Sequence, residues 1–149
     1  MRCSRPRKLS RLAIIHYEIR MLRFCEQQLR DLGEPNSDLK FAVLEAFLLH
    51  YRNVVEFLGW CQQHRDDLRT VRPELWAPEG TLTEEAQNDL LWIQQGFHER
   101  FKEDHTALSK YLQHITSLRE VDRDWDVDHM QTKLKPFLDK FLTHFPLPS

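Results

Sequence analysis

Apolar residues recur along this chain at spacings of three and four, with polar residues between them. Leu12, Ile15, Ile19, Leu22 and Leu29 form the first such stripe, with Met21, Cys25 and Leu32 beside it. This spacing places them on one face of a helix of roughly six turns, about residues 7–32. Gly33 is suited to end that helix, and Pro35 keeps it from resuming. Asn36 or Ser37 can cap the next one, with Asp38 in the first turn, where the helix dipole favours an acid. The second helix is expected over about residues 38–64. Phe41, Leu44, Leu48, Tyr51, Val55 and Leu58 repeat at helical spacing, and Val43, Phe47, Val54 and Phe57 widen the apolar face past half the circumference. A face so wide calls for neighbours on both sides. Gly59 lowers helix propensity there by about 1 kcal/mol relative to Ala without breaking the pattern.

Residues 66–80 form the long connection. Pro73, Pro78 and Gly80 exclude a regular helix, while Leu75 and Trp76 can dock on the rest of the fold. Thr81 with Glu84 matches a capping box, and Thr83 is the alternative cap. Beyond them Leu90, Phe97, Phe101, Leu108, Leu112 and Ile115 keep one phase. They predict a long helix over about residues 83–119, or two collinear ones broken near Asp104. A final helix, about residues 127–145, begins after Asp124 or Asp126. Met130, Leu134, Phe137, Phe141 and Phe145 are its stripe, and Pro136 inside it is expected to kink it. No strand signal or internal repeat occurs. The expected architecture is all-α: an antiparallel bundle of four to five helices, one domain over residues 12–149 behind a basic, flexible stretch at residues 1–11.

Charge changes this picture in one place. The chain of 149 residues has a net charge of −2, so no overall basic field draws it to nucleic acid or an acidic membrane. Yet Arg2, Arg5, Arg7, Lys8 and Arg11 fall in the first eleven residues, and setting those five aside leaves −7 on the rest. So short a run supplies few phosphate contacts and reads first as a solvated terminus. No apolar run is long enough to span a membrane, and the first residues lack the apolar segment of a secretory signal. Cys3, Cys25 and Cys61 are too few and too scattered for a disulfide framework. A reduced, cytoplasmic setting without membrane association is the expectation.

No phosphate loop, nucleophile elbow or zinc-helix motif is present, and no cofactor is expected. A di-iron bundle needs Glu-x-x-His pairs on two helices, whereas the residue three before each histidine is acidic only for Asp126 with His129. No metal site is expected. Two segments hold the remaining candidates. In the first, Phe47 to Asn53 (FLLHYRN), His50 lies at the edge of the wide apolar face and Asn53 lies one turn on. Arg52 points almost opposite, where Glu56 can pair with it. In the second, residues 108–126, His114 flanks the stripe, and Arg119 falls on the line of Leu108, Leu112 and Ile115. An arginine at a core phase requires a carboxylate, a cluster of carbonyls or a phosphate. Candidate partners for Arg119 are Asp67, Asp122 and Asp124, or solvent at a frayed helix end.

Glu45, Phe47, Leu48, Leu49, His50, Arg52 and Asn53, followed by Lys110, His114, Thr116, Arg119 and Trp125, resemble a pattern of small all-helical bacterial proteins of no assigned function. More distantly, Arg52 followed by Asn53 is similar to HEPN domains, helical and often dimeric, some of them metal-independent ribonucleases. Phe57, Leu58 and Gly59 stand where that motif carries its histidine, so an imidazole would have to come from His50 or His114. The resemblance implies nucleotide or RNA as partner, with Arg52 and Arg119 on phosphate, His114 as acid/base, Asn53 orienting it, and His50 and Asp67 in support. The alternative is a non-catalytic protein–protein module, antitoxin-like or a scaffold, with a second copy or another protein as partner. The second and third long helices are expected to pack directly and to bring the two segments together.

Overall fold

Serine, threonine and aspartate side chains start the helices where the sequence offers them. The computed structural model describes residues 10–33, 37–59, 67–113 and 125–149. Within them lie α1 (Arg11–Leu32), α2 (Asp38–Gly59), α3 (Glu84–Gln94), α4 (Phe97–Gln113) and α5 (Val127–His144), with one 3-10 turn at Pro73–Leu75 and no strand. Ser10 accepts the Ala13 N–H and so starts α1 at Arg11, later than the apolar spacing alone suggests. Gly33 follows α1 at φ 54°, a conformation open to glycine. Ser37 accepts the Lys40 N–H at 3.2 Å, and Asp126 accepts the His129 N–H at 2.9 Å. Thr83, not Thr81, caps α3; the Thr81 hydroxyl donates to the Pro78 carbonyl instead.

The long third stretch is two helices, and the break falls at Gln95–Gly96, not near Asp104. Gly96 takes φ 70°, which directs the chain out of the helix. The stripe does not register the break because Leu90 and Phe97 are seven residues apart, close to two full turns. Asp104 lies inside α4, where its carboxylate accepts from the Tyr51 hydroxyl at 3.4 Å. Pro136 is exposed, and α5 runs through it from Val127 to His144. The expected extension of α2 to residue 64 lies outside the described residues.

The helices close a ring. α1 packs along α2, α2 on α4, and α3 on α5. The rings of Phe97 and Phe101 meet Phe137 edge-on, joining α4 to α5. Gln131 donates to Glu26 at 2.8 Å, and His16 bonds the Phe145 carbonyl at 2.9 Å, joining α5 to α1. The direct packing of the second helix on the third stretch is thus present, through α2 and α4. Inside, Phe47, Tyr51, Phe97, Phe101 and Phe141 are fully buried, and aromatic edges fill what aliphatic side chains leave. At Gly59 a Cβ would stand 2.7 Å from the Phe97 ring, so glycine sets how closely α2 approaches α4.

The connection seals one end of the ring. Trp76 packs on Phe57, Phe141 and Phe145, and its indole N–H donates to the Arg69 carbonyl at 2.7 Å. Thr70 donates its N–H to the Phe57 carbonyl at 3.0 Å and its hydroxyl to the Leu58 carbonyl. Carbonyls near the end of α2 thereby gain partners from the loop. This docking fixes Asp67 and Arg69 against the last two turns of α2.

Candidate functional site

Polar residues on α2 divide by angle. Two residues along a helix turn the side chain by about 200°, so His50 and Arg52 leave α2 on opposite sides. His50 and Asn53 face α1, while Arg52 and Glu56 face the side of α4 and the Asp67–Arg69 loop.

On the α1 side both donors meet one carboxylate. His50 Nδ1 donates to Glu18 Oε2 at 2.6 Å, and Asn53 Nδ2 donates to the same oxygen at 3.2 Å. A carboxylate acceptor requires the N–H on Nδ1, which fixes the ring tautomer whenever the imidazole is neutral. The Tyr17 ring stands edge-on to His50, with centroids 5.9 Å apart. Beside Glu18 and Asn53 opens a cleft of about 220 Å³ that Asp67 also lines. Its floor is apolar, with Ile15, Ile19, Val54 and Phe57.

The α4 side holds an ionic knot. Glu56 Oε1 accepts from His105 Nε2 at 2.8 Å and stands 3.1 Å from Arg52 Nε. Arg69 NH1 is 3.9 Å from Glu56 Oε2, and its NH2 donates to Asp67 Oδ2 at 2.7 Å. Burial pushes the Glu56 carboxyl up, but the His105 hydrogen bond and the charges of Arg52 and Arg69 outweigh it, and the net shift is downward. Next to this knot, burial first and Asp104 second hold the Tyr51 phenol well above its ordinary range, so it remains a donor. Lys133 supplies Asp104 with a cation at 3.2 Å.

A third group lies between α3 and α5. Glu85, Asp89 and His144 bring ligand-type atoms within 4.8 Å of one another. His144 donates to Asp89 at 2.6 Å and Lys140 at 3.2 Å, and the His144 bond is the main reason the Asp89 carboxyl titrates low. With an ammonium already on Asp89, this group works as an ionic tie between the two helices.

Of the residues singled out in the sequence, His50 and Asn53 come together on Glu18. Arg52 stands apart from them, on Glu56. Asp67 is indeed the counter-charge of an arginine, but that arginine is Arg69. His114 and Arg119, and with them the expected meeting of the two segments, lie outside the described residues. Reading the sequence for candidates passed over Glu18, Arg69 and His105. The signal for two of them is present: Glu18 interrupts the line Ile15, Leu22 and Cys25, and His105 stands between Phe101 and Leu108 at core spacing. Arg69 sits in a loop, where no periodicity marks burial. Cys25 is buried, which pushes its thiol up and makes it an inert core group. Among the described residues no helix is long and apolar enough to cross a membrane. No protein-family model, curated protein or solved structure matches this chain.

Proposed function

We propose that this bundle is a non-catalytic protein-interaction module that works through the outer face of α1 and α2. One observation carries the reading. Ile14, Tyr17 and Phe24 lie on the outside of α1, 43%, 43% and 54% exposed, with half-buried Met21 between the last two. Their three-four-three spacing makes a second apolar seam on a helix whose other seam is already in the core. On α2, Leu49, next to the His50 that Tyr17 touches, is 43% exposed. A contiguous apolar surface on a helix pair suits another helix. The polar residues His50, Asn53, Arg52 and Glu56 of α2 support the same reading, because each already bonds or pairs with a group of this chain.

A second reading, nucleotide or RNA binding with cleavage by His114 and Asn53, draws on the meeting of Arg52, Arg69 and His105 at Glu56. Two guanidiniums and an imidazole are groups that hold phosphate. It ranks second because Glu56 and Asp67 already occupy them.

A photo-reactive side chain in place of Phe24, in the full chain expressed in cells, distinguishes the two. The expected product is a covalent adduct with a protein, either a second copy or another chain, and none from the same group at exposed Thr106 on α4. No adduct at position 24, together with RNA carried through purification, would overturn the first reading in favour of the second.

A further inference from the structure

The cleft between α1, α2 and the Asp67–Leu68 segment has chemistry that the interaction face does not use. Its floor is apolar, and its rim carries Glu18, Asn53 and Asp67. Glu18 differs from Asp67 and Glu56. Asp67 has Arg69, and Glu56 has Arg52 and Arg69. Glu18 has His50 and Asn53, both on Oε2, and no lysine or arginine among the described residues. Its Oε1 has no protein partner among the described residues, and neither does the Asn53 side-chain carbonyl. The rim therefore offers a carboxylate without a lysine or arginine among the described residues, two open acceptors, and Asp67, whose carboxylate Arg69 pairs.

We propose that this cleft binds a small primary amine as its ammonium ion, held by Glu18 and Asn53 with its hydrocarbon body on the Ile15, Ile19, Val54 and Phe57 floor. An ammonium has three N–H donors and no acceptor, which matches a rim of acceptors. A phosphate or carboxylate would meet the like charge of Glu18 there. A neutral alcohol would gain the floor and lose the charge-assisted hydrogen bond. At about 220 Å³ the cleft is below the ~300–1,000 Å³ of drug-sized sites, so the ligand is small, with about four to six carbons. This site is independent of the outer seam; Ile14 alone touches both.

The test uses three probes with one tail and different heads: n-pentylammonium, n-pentanol and pentanoate, titrated into the full chain at neutral pH. Binding is read by calorimetry and by the NMR signals of the Asn53 side-chain amide. The expected result is saturable binding of n-pentylammonium with movement of the Asn53 amide. Pentanol should bind at least tenfold more weakly, and pentanoate not at all. Glu18→Gln should weaken n-pentylammonium at least tenfold while the far-ultraviolet circular dichroism stays unchanged. The three-probe comparison on the unaltered chain decides the matter even if that variant does not fold. Equal binding of pentanol would reduce the site to an apolar crevice and overturn the proposal. So would a preference for pentanoate, or no saturation by n-pentylammonium at millimolar concentration.

Discussion

The two sides of α2 carry similar residues to different ends. Facing α4 and the loop, Glu56 and Asp67 meet Arg52 and Arg69, and His105 completes the set. Among the described residues two acids face two arginines there, Arg69 is only 5% exposed, and of these four only Asp67 also lines the cleft. Facing α1, Glu18 meets two donors that need carry no charge, and a cleft opens beside it. The first side has the features of a fastening that locks the loop onto the helix. The second keeps a carboxylate that no lysine or arginine among the described residues pairs. Polar residues inside a bundle are therefore not one class, and charge balance, more than burial, separates the arginine-paired acids Glu56 and Asp67 from Glu18.

The largest effect that tests this contrast is removal of the buried arginine. Arg69→Met keeps part of the apolar stem but removes the guanidinium that Asp67 and Glu56 share in a part-buried site. Breaking a buried ion pair costs about 3–5 kcal/mol, and the partial exposure of both acids places this case near the lower end. A loss of about 3 kcal/mol corresponds to a fall in Tm of roughly 6–12 °C for a chain of this size. A fall of less than about 2 °C, measured by calorimetry, would mean that the knot does not fasten the loop.

Next comes Glu56→Gln, with an expected loss of about 1–2 kcal/mol at neutral pH, since the amide can still accept from His105 but no longer pairs with Arg52 and Arg69. The pH dependence has a definite sign. The Glu56 carboxyl titrates below its ordinary value of 4.5, so its charge stabilises the folded chain above that value. The contribution disappears as pH falls through the lower, folded-state value. The gap in denaturation free energy between the unaltered chain and Glu56→Gln should therefore be level near neutrality and close in acid. A gap that widens below pH 4.5 would contradict the arrangement of charges described.

The helices were legible in the sequence because each reports its own burial. Ile15, Ile19 and Leu22, or Leu134, Phe137 and Phe141, announce a face without knowing what covers it, and Gly33 and Asp126 mark ends by local chemistry. The break at Gly96 was hidden, because two turns separate Leu90 from Phe97 and the stripe passes over it unchanged. The polar sites were half legible for a related reason. His50, Asn53 and Arg52 stood out, and their opposite directions follow from the helical angle. That His50 and Asn53 share Glu18 depends on the register of α1 against α2, which neither segment encodes alone. Arg69 owes its burial to the docking of Trp76 and Thr70, a tertiary event. What reads out locally is a polar interruption of an apolar stripe; what it means depends on the helix opposite.

The smallest expected effect is the sharpest comparison, because it makes the same substitution on the other side of α2. Glu18→Gln removes one negative charge and keeps an acceptor for both His50 Nδ1 and Asn53 Nδ2. Among the described residues no lysine or arginine is stranded, since Glu18 pairs with none of them. The cost at neutral pH should be below about 0.5–1 kcal/mol, the difference between a charged and a neutral acceptor in a part-exposed site. Desolvation works in the opposite direction: Glu18 is 23% exposed, and a partly buried carboxylate gives up hydration that an amide does not need. The two contributions nearly cancel, whereas at Glu56 two arginines tilt the balance toward the charge. Denaturation of both variants under one condition reads the contrast directly. If Glu18→Gln costs as much as Glu56→Gln, the α1 side is a fastening too, and the charge at Glu18 is explained by the fold. If it is neutral or stabilising, the charge serves something other than folding, and the cleft beside it is where to look.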